Sequence, residues 1–272
     1  MASPVQISVR QLARLIGTPT APVVIDVRTD DDYALSEYLI PTAIRCAHLS
    51  ITELLPALTC SQVVVYCQKG LKLSEGAAAI LRAHHIQAEV LEGGYAAWLK
   101  ADHALVPTPI LPERNAQGQT VWVTRLRPKI DRIACPWLIR RFIDPNAQFL
   151  YVTASSVEAV ADRFNGAAFD IEGVFWSHRD DRCTFDTMIQ EFGLKGEALE
   201  HLALIVRGAD TNRHDLAAES AGLLAASLGL SRMYGDDQQQ LDAGMMLYDA
   251  FYRWCRDASG EQHDWPAAIT NA

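Results

Sequence analysis

The sequence predicts an α/β protein in two parts: a parallel sheet flanked by helices, then a mainly α-helical domain with a small β component. Three observations carry this expectation. The first hundred residues alternate β-branched runs with helical stretches, the pattern of βαβ units. A break follows at 101–120, where Pro107, Pro109, Pro112 and Gly118 stand in a segment without periodicity. Beyond the break, apolar residues recur near the helical period. At 272 residues the chain is long for one typical domain of roughly 100–200 residues and comfortable for two. The expected division is a domain over 1–105, a linker over 106–120 and a second domain over 121–272.

In chain order, Val23-Val24-Ile25-Asp26-Val27, Val63-Val64-Val65-Tyr66 and Ala88-Glu89-Val90-Leu91 read as buried parallel strands. Between the last two, Ser74–Arg82 is rich in helix formers. After the break, Val121–Thr124 and Phe149–Val152 read as short strands. Ile130–Phe142 carries apolar residues at close to helical spacing, with Pro136 either starting a shorter helix or kinking a longer one. Ser155-Ser156 is expected to cap a helix over Val157–Phe164. Ala217–Leu228 and Leu241–Cys255 read as longer helices, the second with Leu241, Met245, Tyr248, Tyr252 and Cys255 on one stripe.

Composition narrows the function classes. Hydrophobic residues make up 49% and charged residues 21%, which excludes wholesale disorder. No apolar run approaches the roughly 20 residues of a membrane helix, and no basic start leads into an apolar stretch, so neither a span nor a secretory signal is expected. Six cysteines are scattered singly, which points to free thiols in a reducing cytoplasm; Cys46, Cys60 and Cys255 read as structural. A net charge of −9 speaks against broad nucleic-acid affinity. Against that background, Arg125, Arg127, Lys129, Arg132, Arg140 and Arg141 face only Asp131 in sequence, a local surplus of positive charge.

The sharpest chemical signal is Val63-Val64-Val65-Tyr66-Cys67-Gln68-Lys69-Gly70-Leu71-Lys72-Leu73-Ser74. A buried strand ends at a cysteine, a loop with glycine and two lysines follows, and a helix begins. Backbone N–H groups and a helix N-terminus then converge on the sulfur, and with Lys69 and Lys72 they favour a reactive thiolate. A cysteine phosphatase of this type needs a longer loop ending in arginine; Leu73 occupies that place, which argues against phosphate chemistry.

Residues 5 to about 100 resemble a rhodanese domain. The resemblance rests on Val24-Ile25-Asp26-Val27-Arg28, Glu37-Tyr38-Leu39-Ile40-Pro41-Thr42-Ala43, the Cys67 loop and Leu91-Glu92-Gly93-Gly94-Tyr95-Ala96-Ala97-Trp98, in that order. It implies that Cys67 takes a sulfane sulfur from a small anion such as thiosulfate, becomes a persulfide, and hands the sulfur to a thiol or a cyanide-like acceptor. Gln68, Lys69, Gly70, Leu71 and Lys72 would hold the anionic donor. Lys72 stands where many rhodaneses carry arginine, which keeps the charge and loses the two-pronged hydrogen bond. Asp26 and Arg28 read as a structural pair.

From Trp122 onward the chain resembles the C-terminal domain of the chromate-resistance family often called ChrB. The residues that carry this are Trp122-Val123-Thr124-Arg125, Lys129-Ile130-Asp131-Arg132-Ile133-Ala134-Cys135-Pro136-Trp137-Leu138-Ile139-Arg140-Arg141-Phe142-Ile143-Asp144-Pro145, Ser177-His178-Arg179, Cys183-Thr184-Phe185-Asp186 and Ile205-Val206-Arg207-Gly208-Ala209-Asp210. The resemblance implies a role in chromate resistance, without a mechanism.

Read from chemistry alone, Arg125, Lys129, Arg132, Arg140 and Arg141 are suited to a tetrahedral oxyanion such as chromate, with DNA phosphates the weaker reading. Asp131, if buried, needs an arginine or a metal as partner. His178, Asp186 and Asp210 offer ligand types for a divalent zinc, manganese or iron ion. The leading expectation is a cytoplasmic rhodanese-type sulfurtransferase fused to a domain associated with chromate resistance. The alternatives are an oxyanion or redox sensor or a transcriptional regulator of chromate resistance, and a metal-dependent enzyme centred in the C-terminal domain.

Overall fold

The computed structural model describes residues 5–58 and 62–261; Cys60 lies outside the described residues. The chain enters through β1 (Gln6–Ile7) and α1 (Val9–Leu15), whose start is fixed by a reciprocal Ser8–Gln11 capping box. β2 (Val23–Asp26), α2 (Asp30–Ala34), β3 (Tyr38–Leu39) and β4 (Ile44–Arg45) follow, then a 3-10 stretch over His48–Ala57. β5 (Gln62–Tyr66), α3 (Lys72–Ala83), β6 (Gln87–Leu91) and α4 (Gly94–Lys100) complete the unit. Its sheet runs β1-β6-β5-β2-β4 with every pairing parallel.

Alternation along the strands gives this sheet two different faces. Ile25, Val27, Val63, Val65 and Cys67 pack with Ala77 and Leu81 of α3. Val24, Val64, Tyr66 and Leu91 belong instead to a core shared with Trp122, Trp137, Phe142 and Tyr248 of the C-terminal half. The halves are thus joined by one continuous apolar core, and Cys67 packs on the face away from it. Thr42 N donates to Phe142 O at 2.9 Å across the junction. Gly17, at φ +82°, lets the Phe142 ring approach so closely that a Cβ there would meet its Cζ at 2.5 Å.

The expected linker begins as a paired strap: β7 (Val106–Pro107) runs antiparallel to β3. The C-terminal half then forms β8 (Val121–Arg125), α5 (Asp131–Leu138), a π-helical turn over Ile139–Ile143, β9 (Gln148–Val152), α6 (Val157–Arg163) and β10 (Ala167–Ala168). Its small parallel sheet has the order β10-β8-β9. Four helices follow: α7 (Thr184–Glu191), α8 (Glu197–Asp210), α9 (Ser220–Met233) and α10 (Asp237–Asp257). Among the described residues, no helix is long and apolar enough to cross a membrane.

Of two local expectations, one is resolved and one is corrected. Over 130–142 Pro136 distorts a longer helix rather than starting a short one: it has no N–H for the Arg132 carbonyl, and the helix widens to a π turn at Ile139. The Tyr151 hydroxyl replaces the missing donor, reaching Arg132 O at 3.1 Å. Ser156 does not cap α6 with its side chain: its backbone is already helical (φ −105°, ψ −6°), and its hydroxyl pairs with Thr153 at 2.9 Å.

Candidate functional site

Cys67 follows the last residue of β5, and its sulfur lies under the first turn of α3. Leu71 N lies 3.4 Å from Sγ and donates to it; the Ser74 hydroxyl is 3.3 Å away. Burial raises the thiol, but hydrogen bonds from the Ser74 hydroxyl and from the amides of Ser74, Leu71 and Lys69 outweigh it, so its pKa lies below the ordinary thiol value. Ser74, the last residue of the motif, is in direct contact with the sulfur. Lys69, Leu71 and Lys72 are exposed, Gln68 is half-buried and Gly70 is buried. The groups contacting the sulfur are backbone amides and a hydroxyl, while both lysine side chains face solvent.

The loop is held from behind by the Gly93-Gly94 turn. Tyr95 N donates to Cys67 O and Ala96 N to Gln68 O, each at 3.0 Å. Gly94 sits at φ +58°, and a Cβ there would lie 2.2 Å from Cys67 O and 2.4 Å from Gly70 N. The two motifs that stand far apart in sequence are therefore one object, in which a side chain at Gly94 has no room. Nearby, Asp26 and Arg28 form the expected buried pair at 2.7 Å. Arg28 also donates to Tyr38 O at 2.7 Å and lies 4.0 Å over the Tyr95 ring.

The five basic candidates do not form one site. Arg141 is engaged in two hydrogen bonds of 2.7 Å with Asp249. Arg140 lies over Phe149 and 3.7 Å from Asp242, and Lys129 is exposed. Arg127 donates to the carbonyls that end α9, at Ser231, Tyr234 and Gly235. Only Arg125 and Arg132 converge, and they do so on Asp170, at 3.3 and 3.2 Å. The correction has a simple cause: a segment that runs from a strand through a turn to a helix sends neighbouring arginines to different elements, where carboxylates already meet them.

The expected ligand set His178, Asp186 and Asp210 is also rearranged. Asp186 faces Arg207, with hydrogen bonds of 2.9 and 2.8 Å, and accepts from Cys183 N as the cap of α7. His178 and Asp210 do come together, and Asp131 and Asp170 join them. His178 Nε2 lies 3.5 Å from Asp131, 3.4 Å from Asp170 and 3.3 Å from Asp210. Asp131 opens α5 behind Ile130, which is held at φ 36° despite its β-branched side chain. The Asp131 carboxylate accepts from the amides of Thr184 and Phe185 at the start of α7. Asp170, the residue that sequence reasoning missed, accepts from the Thr184 hydroxyl at 2.9 Å.

These groups shift one another. Burial, with the charges of Asp210 and Asp170, pushes the Asp131 carboxyl well above the usual range. Hydrogen bonds to Asp170 and Asp210 raise His178 to about 10. Asp170 is held below the usual range: burial is outweighed by hydrogen bonds from His178 and Thr184 and by Arg132. Arg125, Asp170 and His178 line a cleft of about 780 Å³ together with Glu158, Glu172 and Ser177. Cys135 and Cys183, buried beside this region, have thiols pushed well up by burial and neighbouring carboxylates.

Comparison with known families decides the identity of both halves. Residues 8–101 match the rhodanese-like domain, and residues 122–255 match the C-terminal domain of ChrB. The chain joins a rhodanese-like domain to a ChrB C-terminal domain. Protein ChrB of Cupriavidus metallidurans is 33% identical over 146 residues, 52% of this chain and 43% of the relative, so the chain spans less than half of that protein's length. Among solved structures, a rhodanese-related protein of Thermoplasma volcanium is 22% identical with a TM-score of 0.33, covering 37% of this chain and 96% of its own. A thiosulfate sulfurtransferase of Pseudomonas aeruginosa is 26% identical with a TM-score of 0.34, covering 38% of this chain and 19% of its own. The candidate site of the rhodanese-like half is the Cys67 loop, and that of the ChrB-like half is the His178 cluster.

Proposed function

We propose that the rhodanese-like domain is a sulfurtransferase whose nucleophile is Cys67. The observation that carries this is the set of hydrogen-bond donors around Sγ, with a thiol pKa below the ordinary value and a fixed loop that sets the sulfur against α3's first turn. In the first half-reaction the Cys67 thiolate attacks the outer sulfur of thiosulfate; the thiosulfate S–S bond breaks and sulfite leaves. The persulfide bears its negative charge one atom further out than the thiolate. A thiolate or cyanide-like acceptor then attacks the terminal sulfur and restores the Cys67 thiolate. Lys69 and Lys72, exposed at the mouth, attract the dianionic donor.

The ChrB C-terminal match supports an association with chromate resistance, and five free thiols among the described residues are in keeping with action in a reducing cytoplasm. The test is intact-protein mass spectrometry after thiosulfate treatment. The mass of one sulfur is expected on Cys67, removable by cyanide or dithiothreitol and absent from Cys67→Ser. Loading that is equal in the variant sinks the assignment.

A further inference from the structure

Each buried carboxylate in the described residues has a positively charged partner, and in all but one case that partner is an arginine. Asp26 has Arg28, Asp144 has Arg114, Asp170 has Arg125 and Arg132, and Asp186 has Arg207. Asp131, 1% exposed, has only the imidazole of His178, which it shares with Asp170 and Asp210. Its Oδ2 accepts the α7 amides, while Oδ1 is buried without any hydrogen-bond partner. A buried carboxylate oxygen without a partner is costly and calls for an explanation, of which a bound ion is one.

We propose that Asp131, Asp170, His178 and Asp210 bind one divalent transition-metal ion in the ChrB C-terminal domain. Ligand atoms of Asp131, Asp170 and His178 all lie within 4.8 Å of one another. Atoms bound to one ion at about 2.1 Å stand at most about 4.2 Å apart, so small side-chain adjustments suffice. The supporting contacts fit as well: the Thr184 hydroxyl holds Asp170 and two backbone amides hold Asp131, the kind of outer bonds that orient ligating carboxylates. One imidazole nitrogen among carboxylate oxygens, with Cys135 and Cys183 kept as buried thiols, favours manganese(II) or iron(II) over softer ions. His178 is the solvent-facing member (43% side-chain exposure), and the adjoining cleft supplies the path of entry.

This site stands apart from the Cys67 chemistry and is tested apart from it. The full chain, stripped with chelator, is titrated with manganese(II) by equilibrium dialysis and electron paramagnetic resonance. One ion per chain is expected, with at least tenfold weaker binding in His178→Ala and in Asp210→Asn, and no change in Cys67→Ser. His178 and Asp210 are not fully buried, so far-UV circular dichroism can establish that both variants remain folded. The proposal is overturned if the folded wild type binds none of manganese(II), iron(II) or zinc(II), or if both variants bind manganese(II) as the wild type does.

Discussion

The Cys67 loop and the His178 cluster solve opposite problems in the same chain. The loop is one peptide segment whose own amides and Ser74 hydroxyl surround a sulfur, so its electrostatics are built from uncharged donors. The cluster gathers side chains from the start of α5, the end of α8 and the loops around β10 and α7, so its electrostatics are three carboxylates about one imidazole. A site made of backbone holds an anion without any counter-charge to lose. A site made of converging carboxylates depends on the positive charge at its centre, here the His178 imidazole. The difference teaches where each site is vulnerable: the first to changes in loop shape, the second to changes in charge.

The largest effect that would sharpen this contrast is chemical. Cys67→Ser should abolish sulfur loading altogether while leaving manganese binding intact. Next comes the shape of the loop. Gly94→Ala puts a Cβ 2.2 Å from Cys67 O at a φ of +58°, against backbone atoms with no room to yield. Strain and overpacking together should cost roughly 2–4 kcal/mol. Urea unfolding reads the cost, and sulfur loading should fall with it. A variant within about 0.5 kcal/mol of wild type that loads normally would mean that Gly94 does not shape the loop.

How far each site was legible in the sequence follows from the same contrast. The Cys67 loop could be read because strand, turn and helix start are consecutive, and glycine and lysine mark them. What could not be read was Ser74's contact with the sulfur and the clamp from Gly94, since both depend on how the second motif folds back. In the other half, His178 and Asp210 were found by residue type alone. Asp186 was misplaced because nothing in sequence shows that Arg207, one element away, would reach it first. Asp170 was missed because it stands among weak loop signals, and its role exists only once β10 lies beside β8. The arginine surplus misled for a related reason: charges adjacent in sequence part company where strand gives way to helix.

The titration of Cys67 separates hydroxyl from amides within the first site. The thiolate forms as pH rises through a pKa below the ordinary thiol value, and is lost as pH falls through it. Ser74→Ala leaves burial, the largest influence and a raising one, less opposed, so the midpoint should move to higher pH. Alkylation by iodoacetamide at neutral pH should slow at least several-fold, with the pH profile displaced upward. An unmoved profile would assign the whole lowering to the backbone amides.

The smallest effect tests whether the second site depends on its supports as the first depends on its loop. Tyr151 gives its hydroxyl to Arg132 O, the carbonyl that Pro136 leaves without a helical donor. Tyr151→Phe keeps the ring and removes that donor, so a carbonyl inside α5 loses its partner at a cost of about 1–2 kcal/mol. Arg132 follows Asp131 in the first turn of α5, so loosening this turn should also weaken manganese binding, by less than the tenfold expected for losing a ligand. Urea unfolding and the manganese titration read the two effects separately. Lowered stability with full metal affinity would show that the α7 amides alone place Asp131, and that the proline-widened helix serves only the fold.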